Sequence, residues 1–467
     1  MANSVGGAPL VVSHSPQNPS DVVGTAPAAS RSDVAAAAVT ARKAQAEWWS
    51  AGAARRSAAL KNLSTRLAAK STEVVNLIVR EVGKPLSEAR GEVARAISIL
   101  DFYAQQPFAP LGNAMPGSMP GRLWTERRPH GVAGLITPWN FPLAIPLWKA
   151  APALAAGNAI LFKPSPDAVA SALWLQELTA GILPDGLFQA LPGDGPTGVA
   201  VVESSDVVSF TGSEFVGRQV ALAATTRGVP VQAEMGGQNA AIILADADAE
   251  SVAAMVMSAS MGFAGQKCTA TRRIVLVGSE ARRREVKDAL VAAALALNVG
   301  DPTDAAVTVG PVINQASRAR VTDAAALVCE AGGRMLCGGE DMARDGWFVT
   351  PGLAEGLEAD HLLCQEEVFG PFAVLLDAAD VDHAVRLAEG VRYGLVTSVH
   401  GRDAGQLLAA VDAIGTGMIK VNAPSTGVDF YAPFGGERDS SYGPREQGPR
   451  ALDFYTSTRT ITFSPHA

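Results

Sequence analysis

The chain has 467 residues, 48% of them hydrophobic and 18% charged, with a formal net charge of −8. That length exceeds what one hydrophobic core serves, so at least two domains are expected. The acidic balance, with Lys and Arg scattered rather than blocked, argues against a nucleic-acid partner, and no uninterrupted apolar run reaches the roughly 18 residues of a membrane span.

The N-terminus, MANSVGGAPLVVSHSP, has no basic stretch ahead of a long apolar run, so no signal peptide is expected. Residues up to about 31, rich in Ser, Pro, Asn and Gly, predict short surface strands and loops. Ser32 and Asp33 read as an N-cap pair for the Ala-rich run to Trp49. Apolar spacing predicts further helices over 54–69, 73–81 and 86–103, with Gly83-Lys84-Pro85 as a stop. These helices read as scaffold. Residues 107–129 are rich in Pro and Gly and close on the strand-like LWTER, which predicts a loop or edge strand. GVAGLITPWN and AILFKPSP then read as buried strands running into loops, with helices and the strands LFQALPG and DVVSF following. Strands alternating with helices predict a parallel doubly wound sheet. The pattern restarts after the Gly236-Gly237 turn. AAIILADAD, RRIVLVG, a segment from 361 to 376, SVHGRD and MIKVNAP read as strands, with helices over 251–262, 280–297 and 318–331. This is a second α/β domain.

Three stretches carry candidate chemistry. Cys268 sits in GFAGQKCTATRR, between Lys267 and the pair Arg272-Arg273. Nearby positive charge favours the thiolate, which is the nucleophilic form. The alternative is a buried, inert cysteine. The other three, Cys329, Cys337 and Cys364, lack that setting. With no CxxC pair and no His at ligand spacing, neither disulfides nor a metal site are expected, and a reducing, cytoplasmic compartment is. Glu234 stands just before Gly236-Gly237, where partial burial would raise its pKa and suit it as a general base. A capping or salt-bridged carboxylate is the plainer reading. Gly212 and Ser213 open a helix after a buried strand, where free N–H groups and the helix dipole suit a pyrophosphate. GDGPTG (193–198) also matches GxGxxG, but a lone match is weak and the later turn is the better phosphate site.

EMGGQN followed by GQKC resembles the aldehyde dehydrogenase superfamily, NAD(P)-dependent enzymes that oxidise aldehydes to acids. TPWNFPL (137–143), FKPSP (162–166), FTGS (210–213), QEEVFGPF (365–372) and PFGG (433–436) stand in the family's order. The resemblance implies an α/β fold: two doubly wound domains, one for the nicotinamide cofactor (1–106 and 129–235) and one catalytic (236–432), plus a small β oligomerisation arm (107–128 and 450–467). A homodimer or homotetramer is implied, with the arm and the C-terminal RTITF strand pairing across subunits. It assigns Cys268 as nucleophile, Asn140 with the Cys268 N–H as oxyanion donors, and Glu234 as the base for the deacylating water. Lys149 and Glu446 match residues near the active site, as proton relays or as structure. For the cofactor it implies Ile136, Thr137, Pro138 and Trp139, then Lys163, Ser165 and Pro166. Gly195, Phe210, Gly212, Ser213 and Val216 follow, and Glu234, Met235 and Gly236 after them. Glu367 would hold the nicotinamide ribose with Phe369 packed beside it, and Phe434 would wall the nicotinamide and substrate.

Two positions depart from the pattern. Pro166 stands where many NAD-preferring relatives carry Glu, which removes a carboxylate that repels a 2′-phosphate. Lys163 can pair with that phosphate, so NADP is expected to serve at least as well as NAD, unless Asp167 points the same way. Gln238 stands where relatives often have Lys. The tail, with GVDFYAPFGG, SSYGPREQG and FYT, resembles the branch that includes α-ketoglutaric semialdehyde dehydrogenases, with Arg272, Lys267 or Arg438 as candidate cations for a distal carboxylate. The same residues suit succinic semialdehyde, aliphatic or aromatic aldehydes. They also suit a cysteine esterase, although the nucleotide-binding features argue against that as the main role. Glu234 argues against acyl transfer to coenzyme A, and the complete set Cys268, Glu234 and Asn140 against a silent structural member.

Overall fold

The computed structural model describes residues 4, 5 and 8–464. Residues 1–3, 6, 7 and 465–467, at the ends of the ranges read above as the first domain and the arm, lie outside the described residues. The strands Ala8–Ser15 and Asn18–Pro27 pair antiparallel and are longer than the short strands expected there. Helix Arg31–Ser50 starts on Ser30 rather than on Ser32-Asp33. Ser30 Oγ accepts from the Asp33 N–H at 3.2 Å, and the Asp33 carboxylate accepts from the Ser30 N–H at 2.9 Å. This capping box makes Asp33 the third helical residue instead of the cap. Helices Gly52–Ala69, Ser71–Val82 and Leu86–Gln105 follow, the second ending on Gly83 at φ +66°.

Six strands form one sheet in the order Ser441–Tyr442, Val231–Glu234, Val207–Thr211, Val132–Ile136, Ala159–Lys163, Phe188–Ala190. All pairings are parallel except that of Ser441–Tyr442, which runs antiparallel to Val231–Glu234. Val132–Ile136, Ala159–Lys163 and Val207–Thr211 bury every residue, as apolar runs covered on both faces do. The chain enters at Val132–Ile136, proceeds outward to Phe188–Ala190, and returns to the other side at Val207–Thr211. Strand order therefore reverses between Val132–Ile136 and Val207–Thr211. The crevice beyond their C-terminal ends is where open parallel sheets take ligands. The loops that start there are 137–143 and 212–213.

A seven-stranded sheet runs Arg334–Cys337, Gly352–Glu355, Phe372–Ala378, Arg273–Val277, Ala240–Ile243, Val396–His400, Met418–Val421, antiparallel only at its first pairing. The segment read as a strand from 361 begins instead as the short helix Leu362–Gln365, because His361 Nδ1 caps it by accepting from the Leu363 N–H at 3.2 Å. The strand starts at Phe372.

The arm is a three-stranded antiparallel sheet of Thr456–Phe463, Arg122–Pro129 and Ala114–Met115. The two segments expected to pair across subunits pair with each other within one chain, from Thr456 against Pro129 to Phe463 against Arg122. What they leave for another molecule is their outer edges, with Met115 and Phe463 exposed on them. No described helix is long and apolar enough to cross a membrane.

Candidate active site

Cys268 lies on the loop that feeds Arg273–Val277, at the N-terminal edge of the second sheet. Helix Ala249–Met261, capped by Asp248, starts two residues before the expected Ser251. A tight turn over Gly262–Gly265 follows, with Phe263 and Ala264 at φ +55° and +52°. Left-handed backbone at two non-glycine residues costs energy and persists only where the surroundings enforce it. They do so here. Asn239 Nδ2 donates to the Cys268 and Ala270 carbonyls at 2.7 and 2.8 Å, while its Oδ1 accepts from the Val396 N–H at 3.2 Å. Arg272 binds the Gly265 and Gly370 carbonyls at 2.6 and 2.9 Å, and Arg273 binds the Gln238, Leu387 and Ala388 carbonyls. Gln238, unexplained in the sequence, thus helps to brace this region, and its amide also donates to the Leu363 carbonyl at 2.9 Å.

These contacts overturn the expected cationic setting of Cys268. Lys267 Nζ donates to Glu88 at 2.5 Å, and Arg272 pairs with Glu367 at 3.3 Å. Burial pushes the Cys268 thiol up to about 12, and the charges of Glu367 and Glu234 push the same way. Alkylation of Cys268 in the free protein by iodoacetamide, followed by mass spectrometry of its peptide, is therefore expected to keep rising with pH beyond the ordinary cysteine pKa of about 8.5. A plateau at or below that value would contradict the paired-cation picture.

Cys268 stands where two cavities of about 450 Å³ each meet, with Ile145 the only other residue common to both linings. The first cavity lies over the crevice of the six-stranded sheet. Pro138, Trp139, Asn140, Gly212 and Ser213 line it, as do Met235, Gly236, Glu367 and Phe369. Trp139 packs edge-on against Phe369, whose φ of +52° is a further strained backbone at the site. The second cavity is walled by Phe141, Trp148, Val428 and Phe434, and by one face of helix Leu86–Gln105: Ser87, Glu88, Gly91, Glu92 and Arg95. This helix, read from sequence as scaffold, therefore borders the nucleophile. The sequence carried no signal for it, since helical spacing alone does not say what a face meets. Phe434, expected beside nicotinamide and substrate, lines only the second cavity, tilted against Trp148 at 5.6 Å.

The loop with Asn140 is held from below. Glu92 accepts from the Leu143 and Ala144 N–H groups at 2.9 and 3.0 Å, capping helix Ala144–Ala155, which has no cap of its own. Lys84 is fully buried, paired with Glu92, and stands 3.7 Å from the centre of the Phe141 ring. Breaking such a buried pair costs several kcal/mol, about 3–5. Asn140 Nδ2 donates to the Gln266 carbonyl at 2.9 Å, which fixes the amide and leaves its second N–H free.

Glu234 is buried and lines neither cavity. Its carboxylate accepts from Ser441 Oγ at 2.5 Å, and burial, reinforced by the charge of Glu446, holds its pKa well above the usual range. Glu446 pairs with Lys149, whose pKa burial lowers. Lys149 also donates to Ser209 Oγ at 2.8 Å. Lys149 and Glu446 sit behind Glu234 and also line neither cavity.

A dinucleotide is tested by what the first cavity offers. Helix Glu214–Thr226 opens on Ser213 with no side-chain cap, so its first N–H groups are free for an anion. Thr211 Oγ1, on the cavity wall, is buried without a partner, and such atoms need an explanation. A Cβ on Gly236 would lie 2.3 Å from Glu367 Oε2, so the carboxylate approaches bare backbone. Burial pushes Glu367 up to about 7 against the opposing charge of Arg272. Beyond the cavity, Ile136 pairs with Lys163, and the Thr137 N–H donates to the Lys163 carbonyl at 3.2 Å. Ser165 caps the turn Pro166–Ala168. Phe210 packs its ring under Gly212 and Gly217, and Val216 is exposed on the helix. Gly195 opens helix Gly195–Ser204, one residue after Asp194. Burial lowers Lys163 to about 8, opposed by the charges of Asp194 and Asp167. Asp167 thus acts on the lysine, as its place in the sequence allowed. The residues fit a nicotinamide dinucleotide. Among the described residues no group of His, Cys, Asp and Glu is arranged to hold a metal ion.

Comparison with known proteins fits this geometry. The sequence model of the aldehyde dehydrogenase family matches residues 8–461. The chain is 34% identical over 468 residues to an alpha-ketoglutaric semialdehyde dehydrogenase of Bacillus subtilis, covering 98% of this chain and 95% of that protein. It is 36% identical to an alpha-ketoglutarate semialdehyde dehydrogenase of Haloferax volcanii, covering 96% and 94%. Among solved structures, a putative methylmalonate-semialdehyde dehydrogenase from Sinorhizobium meliloti, complexed with NAD, superposes with a TM-score of 0.95 at 29% identity, covering 100% and 96%.

Proposed function

We propose that this chain, which belongs to the aldehyde dehydrogenase family, oxidises 2,5-dioxopentanoate (α-ketoglutaric semialdehyde) to the diacid through a covalent intermediate on Cys268. As an NAD(P)-dependent aldehyde dehydrogenase it takes a small aldehyde and NAD or NADP. The substrate reading rests on the names of the relatives cited and on the resemblance of the tail motifs GVDFYAPFGG, SSYGPREQG and FYT to that branch. The mechanism rests on one observation: Cys268 is the joint between the two cavities.

The Cys268 sulfur adds to the aldehyde carbon as its thiol proton passes to water, and the carbonyl oxygen becomes an alkoxide. The free N–H of Asn140 and the backbone N–H of Cys268 stabilise that oxygen. The dinucleotide, when bound, supplies the acceptor for the hydride that leaves this carbon. The resulting thioester is hydrolysed by water, from which Glu234 takes a proton, and Cys268 is returned as the thiol. For that step the Glu234 carboxylate must leave Ser441 and turn towards the sulfur. Its pKa, raised by burial and by the charge of Glu446, makes it a stronger base than an ordinary carboxylate. Lys149 and Glu446 hold charge and hydrogen bonds behind it. Ser213 and the helix start would take the pyrophosphate, Lys163 the adenosine ribose, and Glu367 the nicotinamide ribose. The division into cofactor domain, catalytic domain and arm belongs to the same proposal.

The test is a panel of aldehydes with each dinucleotide, read by absorbance of the reduced cofactor. 2,5-Dioxopentanoate is expected to give a higher kcat/KM than pentanal, and a clear preference for pentanal would reject the substrate reading. NADP is expected to serve at least as well as NAD at neutral pH, because Pro166 withholds a carboxylate and protonated Lys163 can pair with a 2′-phosphate, with the charge of Asp167 on that lysine opposing only in part. The lysine carries its proton below about 8, so the ratio of NADP to NAD efficiency should fall as pH rises through that value. A ratio independent of pH would remove Lys163 from the discrimination.

A further inference from the structure

The second cavity has a polar end that neither the family relation nor the relatives' names assign. Four charged side chains line it: Glu88, Glu92, Arg95 and Lys267. Three are already neutralised. Glu88 pairs with Lys267 at 2.5 Å, and Glu92 pairs with Lys84 and caps the helix behind it. Arg95 has no carboxylate within ion-pair distance among the described residues. Its one hydrogen bond there is from Nη1 to the Val428 carbonyl, which also lines the cavity. A guanidinium has five N–H donors in a planar fork, so most of its capacity is unspent. Glu437 and Asp439, on the segment after PFGG, are taken by Arg445 and by Arg218 and Arg392. Asp429, the acid nearest in sequence to Val428, is exposed; its charge, with those of Glu92 and Glu88, acts on Arg95 without forming an ion pair.

The three cations considered from sequence are all committed elsewhere. Lys267 is paired with Glu88, Arg272 is spent on backbone carbonyls and Glu367, and Arg438 pairs with Glu389. Neither Arg272 nor Arg438 lines the cavity. Arg95 lies seven residues beyond Glu88 on the same helix face, about 10 Å along the axis at 1.5 Å per residue. Glu88 marks the Cys268 end, through Lys267. An aldehyde at Cys268 therefore has its far end directed along this face towards Arg95, between the apolar walls of Phe141, Trp148 and Phe434.

We infer that Arg95 recognises the distal carboxylate of the substrate from the polar end of the second cavity, setting the preference for aldehydes that carry an acid. This rests on the proposed function above and names the residue responsible for it. A fork-to-carboxylate pair in a partly buried site gives both charge and orientation. Because the contact is remote from the reacting carbon and is made equally in ground and transition states, its loss should raise KM for the acid with little change in kcat.

The experiment compares 2,5-dioxopentanoate with pentanal in the full-length protein and in Arg95→Met, which keeps much of the stem volume, and in Arg95→Lys. Arg95→Met is expected to lower the acid-to-neutral ratio of kcat/KM by roughly 10–100-fold, the range for hydrogen bonds to a charged group, mostly through KM. Arg95→Lys should recover part of it, since charge remains and the fork is lost. A ratio unchanged in Arg95→Met, in a protein that itself prefers the acid, overturns this inference and leaves the proposed substrate standing. A starting protein that prefers pentanal overturns both. Should Arg95→Met fail to fold, inhibition of the unmodified protein decides: pentanoate should compete with pentanal more strongly than pentanamide does. Equal inhibition by the two would overturn the inference.

Discussion

Cys268→Ala is expected to lower aldehyde-dependent reduction of the dinucleotide by roughly 10⁴–10⁶-fold, the range seen when an enzyme's nucleophile is removed. None of the other cysteines is positioned to take over. Cys329 is exposed on helix Gln315–Glu330, Cys337 donates weakly to the Pro351 carbonyl at 3.7 Å, and Cys364 is buried in the core of the second sheet. Binding of the dinucleotide should survive, because the contacts proposed for it come from the first sheet and from Glu367. Steady-state assay with protein fluorescence titration separates the two. Residual turnover within tenfold of the starting protein would reject Cys268 as the nucleophile.

Glu234→Gln is expected to separate the half-reactions. The variant keeps size and hydrogen bonding to Ser441 but cannot take a proton, and loss of a general base costs about 10²–10⁴-fold. That loss should fall on thioester hydrolysis. Rapid mixing should then show a burst of reduced dinucleotide, about one equivalent per site, followed by a slow steady state. The raised pKa of Glu234 gives a second reading. The base form is populated only above that pKa, so hydrolysis in the unmodified protein should climb with pH above the usual carboxylate range, and the climb should vanish in Glu234→Gln. A slow steady state without a burst would move Glu234 to the acylation step.

The parts of the site that were legible in sequence are those whose geometry is local. Strand Val207–Thr211, then Gly212, Ser213 and a helix, can be read as an anion-binding turn because strand, glycine and uncapped helix start are consecutive. The charge around Cys268 was misread because its determinants are remote. Lys267 is neutralised by Glu88, 179 residues earlier in the chain, and the field at the sulfur comes from Glu367 and Glu234. Arg95 was invisible for the same reason: its hydrogen-bond partner, Val428, is 333 residues away. The arm was read as a loop or edge strand with an affinity for another subunit. Its β character could be seen in LWTER, but nothing in either segment says that Arg122–Pro129 meets Thr456–Phe463 in the same chain.

The joint position of Cys268 between two separate cavities also bears on the order of events in a catalytic cycle. On the proposed function each reactant has its own cavity, so neither must queue behind the other. Double-reciprocal plots at several fixed dinucleotide concentrations should intersect rather than run parallel, because no product has to depart before the second reactant arrives. The carboxylic acid can likewise leave by the aldehyde's own passage while the reduced dinucleotide is still seated. Departure of that dinucleotide then becomes a free-standing step, able to limit the overall rate without holding back the acid.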